Sequence, residues 1–472
     1  MEGNELKRAL KTRHITMISI GGAIGTGLFL ASGNVVQNAG ALGGPLSYLL
    51  IGLLVYVLMR GLGEMCTFMP VSGGYTTFAG LFVHPILGFM VGWNVSINGF
   101  LGLGAEIVAG SMLLNQFFPA IPPVVWCIAI SVLLLVLNLF TVKAYGEAEF
   151  WFAGIKVVAI VIFLIVGVLM IFGLVGDQGF IGLSNWTGKS MIPNGFGAVI
   201  LMMSAVVWSY LGVETTAIAA GETENPSVNV PKAINTVFYR IVLFYVGSVT
   251  VIGLVVPYGD VSVMSNGYAG LLALAGIPAA AVIMNIVIIT SLTSSANSTL
   301  YALSRIMVGL AQEGKAPKAL AKINKKGIPV TSVLFSIILA QVSLLTSFAS
   351  PDKVFIWLIS IAGFNTLLGW FSILLSSYKF RKWLVDKGGS VEKLTYKMNI
   401  YPIPTLVCLA VIIIIAIYTA YSPATRTTFL IGAPMLVLYA IIGTIVYKKG
   451  KMVYPDYQKY LDAHNKEEKI VS

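Results

Sequence analysis

The sequence predicts an all-α membrane protein with twelve membrane-spanning helices. Hydrophobic residues make up 57% of the 472 residues and charged residues only 10%, and the mean hydropathy is +0.88. A soluble chain with so few charges could not cover its surface, whereas apolar runs of about 20 residues have the length that a helix needs to cross hydrocarbon. The runs centre near Gly25, Leu54, Leu101, Leu134, Phe163, Trp208, Val246, Val287, Leu339, Leu367, Ile413 and Leu438.

The basic residues predict how the chain is oriented. With the N-terminus in the cytoplasm, nearly all of the 30 Lys and Arg residues lie in cytoplasmic connections or at the two ends of the chain. Only Lys189, Lys353 and Arg426 fall in connections on the other side. This asymmetry follows the positive-inside rule. We therefore expect a multi-pass protein of the cell (plasma) membrane with both termini cytoplasmic, and the net charge of +11 needs no nucleic-acid partner.

The motifs of several function classes are absent from the sequence. Its three cysteines, Cys66, Cys127 and Cys408, have neither metal-site nor disulfide spacing. A Walker motif for ATP is also missing. We expect no cofactor, no metal site and no enzymatic activity. A channel is disfavoured as well.

Two apolar runs are interrupted by residues that weaken a helix. The first contains "ISIGGAIGTGLFLASG", with five glycines, each costing about 1 kcal/mol relative to alanine in a helix. The sixth, "ILMMSAVVWSYLGVETTAIAAGE", carries polar residues and Gly212 at mid-depth. Such a pair of interrupted helices, five runs apart, indicates an inverted-repeat transporter. Exposed N–H groups would attract a carboxylate and exposed carbonyls an ammonium. Glycines that only allow close helix packing are the alternative.

Three charged residues lie inside apolar runs, namely Glu106, Lys156 and Glu214. A charge at the bilayer centre costs about 2.5–3.5 kcal/mol on insertion scales, so each is a candidate for function. Lys156 either faces the bundle interior or extends its ammonium to the interface. Glu106 either takes part in function or neutralises a buried cation.

Five segments carry a family resemblance that covers nearly the whole chain. They are "LKTRHITMISIGGAIGTGLFLASG", "LGEMCTFMPVSGGY", "GEAEFWFAGIKVVAI", "GVETTAIAAGETENPSVNVPKAI" and "EGKAPKALAKINKKGIPV". The chain resembles the amino acid–polyamine–organocation superfamily, and within it the bacterial family of lysine, GABA and aromatic amino acid permeases. The resemblance implies a LeuT-type fold of 5+5 inverted repeats in which helices 1 and 6 are broken.

The same resemblance implies a division of the chain. Residues 1–14 would be a cytoplasmic segment, 15–447 a single transporter domain and 448–472 a cytoplasmic tail. Within the domain, 15–175 and 195–380 would be the two repeats, and 400–447 the peripheral helices 11 and 12.

Site residues carry over from the family by position. In proton-coupled relatives a helix 5 lysine stands where sodium-coupled members bind sodium, so Lys156 would bridge helices 1 and 8 when protonated, with Ser294 and Ser295 as its partners on helix 8. Trp208 would pack over bound substrate, unless it is an ordinary packing residue. The residues implied in substrate binding are Ala23, Gly25, Thr26, Gly27, Trp208, Ser209, Leu211 and Gly212. Those implied in proton coupling or gating are Lys156, Glu106, Glu214, Ser294 and Ser295.

The sequence therefore predicts proton-coupled uptake of an L-amino acid by alternating access. Cationic amino acids such as lysine or arginine are the first expectation, although "YLGVE" departs from the "FQGTE" of lysine permeases. The alternatives are a proton-independent exchanger, a permease for neutral or aromatic amino acids and, in a different class, a membrane nutrient sensor. The partners expected are a small-molecule amino acid and the lipid bilayer. The sequence leaves the oligomeric state undetermined.

Overall fold

The all-α prediction is confirmed for the described part of the chain. A computed structural model describes residues 13–14, 16–17, 24–29, 31–71, 73–140, 142–187, 191–260, 267–277, 279–347, 351–423, 425–454 and 456–466. These residues form helices joined by turns and short loops. Ala23 and the side chain of Thr26, both predicted to bind substrate, lie outside the described residues.

The helices follow the apolar runs along the chain. Those of the first half are α1 (Thr26–Phe29), α2 (Ala31–Ala39), α3 (Gly43–Phe68), α4 (Tyr75–Phe78), α5 (Pro85–Phe117), α6 (Pro123–Leu139), α7 (Val142–Ile171), α8 (Gly195–Ser209) and α9 (Thr215–Ala219). Those of the second half are α10 (Pro226–Arg240), α11 (Ser248–Val255), α12 (Gly267–Leu274), α13 (Ala280–Gln312), α14 (Val330–Ser347), α15 (Pro351–Asp386), α16 (Ile403–Tyr421), α17 (Arg426–Lys448) and α18 (Gln458–Lys466). Two π-helical turns, Ala79–Val83 and Ile241–Gly247, follow α4 and α10.

Several of these helices have the length and composition of membrane spans. Within the described ranges seven qualify, namely Gly43–Phe68, Pro85–Phe117, Tyr145–Ile171, Pro226–Val255, Val282–Gln312, Ile403–Tyr421 and Arg426–Lys448. Three shorter apolar helices are Pro123–Leu139, Gly195–Ser209 and Val330–Val342. The chain is thus a multi-pass membrane protein, whereas the total of twelve spans and the two repeats stay predictions.

The backbone changes direction in both glycine-containing runs. In the first run Ile24 and Gly25 form a bend and α1 begins at Thr26. In the sixth run α8 ends at Ser209 and α9 begins at Thr215, with turns between them. Gly212, in these turns, has a φ of +93°, a conformation that strains any residue with a Cβ.

The packing of the helices places α1 in the interior. α5 is central and contacts α6, α13, α14, α15 and α17, while α3 contacts α8, α10 and α15. α1 lies between α8 and α13, and α13 also contacts α7. Residues of α1, α5, α7, α8 and α13 are thereby brought to one region.

The two faces of α7 differ in a way that suits a membrane. The exposed side chains Trp151, Ile155, Val158, Ile162 and Ile165 recur every three or four residues and so share one apolar face. The opposite face carries the buried Glu149 and Lys156. Because the surroundings of a membrane helix are apolar, the costly charged groups are enclosed by protein.

Candidate functional site

The carbonyl group of Ile24 is the point where three helices meet. Lys156 Nζ, from α7, donates a hydrogen bond to Ile24 O at 2.8 Å. Ser291 Oγ, from α13, donates to the same oxygen at 3.0 Å. Because Ile24 lies in the bend before α1, its oxygen is open to these side-chain donors. Lys156 is fully buried, so its ammonium does not extend to the interface.

Two buried carboxylates hold neighbouring serines of α13. Glu106, from α5, accepts a hydrogen bond from Ser295 Oγ at 2.5 Å. Glu149, from α7, accepts one from Ser294 Oγ at 2.5 Å and one from Asn297 Nδ2 at 3.3 Å. The positive charge of Lys156 acts on both carboxylates, so the buried charges partly compensate each other.

Ser294 and Ser295 thus bind the two acids, and the α13 donor to the Ile24 carbonyl is Ser291. All three serines lie within about one turn of α13, where a change of three or four residues keeps the same face. The family resemblance identified the helix and its face but not which serine reaches α1.

Gly27 is a point of close backbone contact between α1 and α8. An ideal Cβ on Gly27 would lie 2.4 Å from Ser209 Cα and 2.8 Å from Ser209 N, so only glycine fits. Tyr48 OH spans the contact, donating to Gly27 O at 3.4 Å and lying 2.8 Å from Ser209 Oγ.

Gly25 faces the acidic side of the site. A Cβ there would lie 3.1 Å from Ser295 Oγ and 3.7 Å from Glu106 Oε1. The other carboxylate oxygen, Glu106 Oε2, has no hydrogen-bond partner among the described residues. An unpartnered oxygen on a buried carboxylate leaves the site able to accept a further donor.

The residues from the sixth run occupy two places. Trp208 is 7% exposed, and a Cβ on Gly102 of α5 would lie 3.6 Å from its ring. Leu211, Gly212 and Glu214 instead line a cavity that α5, α13 and α15 complete. Glu214 Oε2 has no hydrogen-bond partner among the described residues. The structure thus brings Ser209 to α1 and places Leu211, Gly212 and Glu214 at the neighbouring cavity.

Comparison with known proteins decides the family. The family described as Amino acid permease matches residues 14–455. The chain belongs to the amino acid permease family. It is 38% identical to the amino-acid permease RocE of Bacillus subtilis (strain 168) over 450 residues, covering 95% of this chain and 96% of that protein. It is 37% identical to the lysine-specific permease LysP of Escherichia coli (strain K12) over 480 residues, covering 97% and 98%.

A further relative agrees with this membership, and a solved structure shares the fold. The permease is 37% identical to the gamma-aminobutyric acid permease of Bacillus subtilis (strain 168), covering 95% of both chains. A crystal structure of the manganese transporter of Eremococcus coleocola matches with a TM-score of 0.61, 11% identity and coverage of 95% and 99%. At 11% identity, this structural match supports the fold alone. These relatives are permeases, so the expectation that the chain is not an enzyme is confirmed.

Sequence reasoning missed one acid of the permease, Glu149. It is fully buried and precedes Lys156 by seven residues, which is two helical turns and therefore the same face of α7. That spacing, together with the cost of burying a carboxylate, could have identified Glu149 as a site residue from the sequence. Glu149 lies near the end of the apolar run, where a carboxylate is usually at the interface.

A buried ion pair lies in the C-terminal half of α13. Arg305 Nε donates to Glu222 Oε1 at 3.0 Å, and Tyr301 OH donates to Glu222 Oε2 at 2.5 Å. The Arg305 guanidinium also lies 3.9 Å from the centre of the Tyr301 ring. Arg305 is therefore not one of the solvated basic residues of the connection after α13, unlike the exposed Lys318 and Lys322.

Proposed function

We propose that this permease is a proton-coupled symporter that imports an L-amino acid by alternating access. The observation that carries the proposal is the contact of Lys156 and Ser291 with the one carbonyl oxygen of Ile24. A charged ammonium at this point links α7 and α13 to the bend before α1. Loss of its proton would weaken that link and let α1 move relative to α13.

The substrate would bind where the two interrupted runs meet. In the proposal, the fold is of the LeuT type, and its broken helices 1 and 6 are the first and sixth predicted spans, centred near Gly25 and Trp208. The repeats are residues 15–175 and 195–380. The carboxylate of the amino acid would meet N–H groups near Gly25 and Gly27, and its ammonium the carbonyls near Ser209, since the ends of helices carry partial charges of those signs. Trp208, against Gly102, would close over the bound substrate. Protons are the only coupling ion that the proposal requires.

The orientation that we propose for the permease rests on its charges. We place both termini and the exposed lysines of the connection after α13 in the cytoplasm, with the protein in the plasma membrane. Lys318, Lys322, Lys325 and Lys326 are all exposed, and such residues favour the cytoplasmic side, where anionic lipids attract them.

The symporter and exchanger proposals differ in what drives uptake. We expect purified permease in liposomes without internal substrate to accumulate an amino acid when the outside is made more acidic than the inside. An exchanger would need substrate inside and would be indifferent to the gradient. Uptake that follows internal substrate and ignores pH would contradict the symporter.

The chemistry near Gly25 favours a cationic substrate. Glu106 Oε2 has no hydrogen-bond partner among the described residues, and the other oxygen of the same carboxylate, Oε1, would lie 3.7 Å from a Cβ on Gly25. The printed names of the relatives include a lysine-specific and a gamma-aminobutyric acid permease, so neutral substrates are the alternative. Thermal-shift measurements against the twenty amino acids identify the substrate, because a ligand that binds only the folded protein raises its apparent stability.

A substitution at Glu106 tests the preference directly. We expect Glu106→Gln to weaken the binding of lysine or arginine by about 1.5–3 kcal/mol, the usual contribution of a hydrogen bond to a charged group. That corresponds to about one to two orders of magnitude in Kd. Binding of neutral amino acids should change much less. Equal losses for basic and neutral substrates, measured by isothermal titration calorimetry, would remove Glu106 from the substrate pocket.

A further inference from the structure

A buried stripe of polar side chains runs along α13 away from Lys156. Apart from the adjacent Asn297 and Ser298, its members recur every three or four residues, so they share one face of the helix. Each is at most 2% exposed. From its first to its last residue the stripe rises about 21 Å, compared with about 30 Å for the hydrocarbon core. The members are Ser291, Ser294, Asn297, Ser298, Tyr301 and Arg305.

Glu149 lies beside the first half of this stripe. Both of its carboxylate oxygens are engaged, one by Ser294 and the other by Asn297. Asn297 is held in turn by Asn138 of α6, whose Nδ2 donates to Asn297 Oδ1 at 2.8 Å. Side chains of an α-helix tilt toward its N-terminus. Glu149 lies two turns nearer the N-terminus of α7 than Lys156, so the Lys156 side chain leans toward it.

The second half of the stripe leads to the protein surface. Tyr145 OH donates to Ser298 Oγ at 3.4 Å, and the Tyr145 and Tyr301 rings stack with centroids 4.2 Å apart. Tyr301 then donates to Glu222. Glu224, two residues beyond, is exposed. Polar groups therefore continue from Glu149 to the buried Glu222, which is two residues from the exposed Glu224 in the connection between α9 and α10.

We propose that Glu149 receives the coupled proton from Lys156 and passes it toward this surface. This inference rests on the proposed function, because it requires Lys156 to carry the proton. The ammonium of Lys156 loses a proton and becomes an amine, and the carboxylate of Glu149 gains it and becomes a carboxylic acid. The net charge of the pair is zero before and after the step, so no uncompensated charge is created in the buried site.

Glu149 suits this task better than Glu106 does. Glu106 faces Gly25 and Ser295, the side on which the substrate would bind. Glu149 continues into the polar stripe. The charged, titratable and hydrogen-bonding groups that face Glu149 are Lys156 and Tyr145 on α7, Ser294, Asn297 and Ser298 on α13, and Glu106 on α5.

The test compares driven uptake with exchange in liposomes containing the full-length protein. Glu149→Gln keeps the size of the side chain and removes its ability to bind the proton. We expect loss of accumulation driven by an acid-outside pH gradient, while exchange of external for internal substrate continues at nearly the wild-type rate. Exchange needs no net proton movement. Glu149→Asp, which keeps a carboxylate, should restore part of the gradient-driven uptake.

Glu64→Gln is the matched control. Glu64 is also a buried carboxylate of a membrane helix, 2% exposed, but it pairs with Arg381 at 2.7 Å on the α3–α15 side. Neutralising it should leave the ratio of driven uptake to exchange as in the wild type. A general effect of removing any buried acid would lower that ratio in both variants and would overturn the proposal.

Infrared difference spectroscopy provides a second readout that does not depend on the Gln variant folding. Acidification of the wild-type protein should produce a carboxylic-acid C=O band that shifts in Glu149→Asp. Full gradient-driven uptake in Glu149→Gln, equal loss of uptake and exchange in that variant, or a band unchanged by Glu149→Asp would each overturn the proposal. Failure of the wild type to respond to a pH gradient would instead reject the symporter itself.

Discussion

Gly27→Val is expected to abolish substrate binding. The Cβ of any larger residue would fall 2.4 Å from Ser209 Cα, a distance at which backbone atoms must separate. Forcing extra atoms into a packed site costs about 1–3 kcal/mol, and here the displaced segments are the two that would form the binding site. The variant should still insert into the membrane, because the apolar length of the first run is unchanged.

A glycine in an open position provides the control for this result. Gly154 lies on α7, and an ideal Cβ there has no atom within 4 Å. We therefore expect Gly154→Val to bind substrate like the wild type. Binding is measured by thermal shift and by calorimetry on purified protein. Wild-type affinity in Gly27→Val would show that the contact between α1 and α8 does not shape the site.

Lys156→Ala is expected to remove the pH dependence of uptake. The change deletes the donor from α7 to Ile24 O and leaves Glu106 and Glu149 without their nearby cation. Removing one partner from buried charges typically costs about 3–5 kcal/mol, so the purified variant should also be less stable than the wild type. Residual uptake should be equal with and without a pH gradient.

An exposed lysine separates this effect from a simple change in charge. Lys318 lies in the connection after α13 and is exposed, so Lys318→Ala should keep the wild-type response to pH. The initial rate of uptake is measured over a series of external pH values at fixed internal pH. An unchanged profile in Lys156→Ala would assign the coupled proton to another group.

Much of the site could be predicted because membrane burial makes polar residues conspicuous. Glu106 and Lys156 stand out in apolar runs, and the structure places both at the start of α1 together with Gly25. Ser294 and Ser295, on the eighth predicted span (α13), were predicted as partners of Lys156. In the structure they donate to Glu149 and Glu106, and Ser291 donates to Ile24 O. Helical periodicity gives the face of α13 but not its axial position relative to α1.

The sequence predicts that nearly all Lys and Arg residues lie in cytoplasmic connections or at the ends of the chain, and the structure refines this expectation at Arg305. In the sequence this residue heads the basic stretch after the eighth run, and the positive-inside rule treats it as one of those charges. In the structure α13 continues to Gln312, and Arg305 is buried against Glu222. A helix that extends past its apolar run brings basic residues into the protein interior, and composition alone does not reveal this.

The sequence by itself determined that the chain lies in a membrane as a bundle of helices and where its helices are weakened. These properties follow from local composition, because the bilayer selects long apolar segments and glycine lowers helix stability wherever it occurs. Only the tertiary structure decided that Gly27 packs against Ser209 and that Ile24 O accepts hydrogen bonds from Lys156 and Ser291. It also decided that Glu149 lies in the same buried polar region. Such contacts depend on the rotation and axial position of each helix against its neighbours, which are set by side-chain packing between segments far apart in the chain.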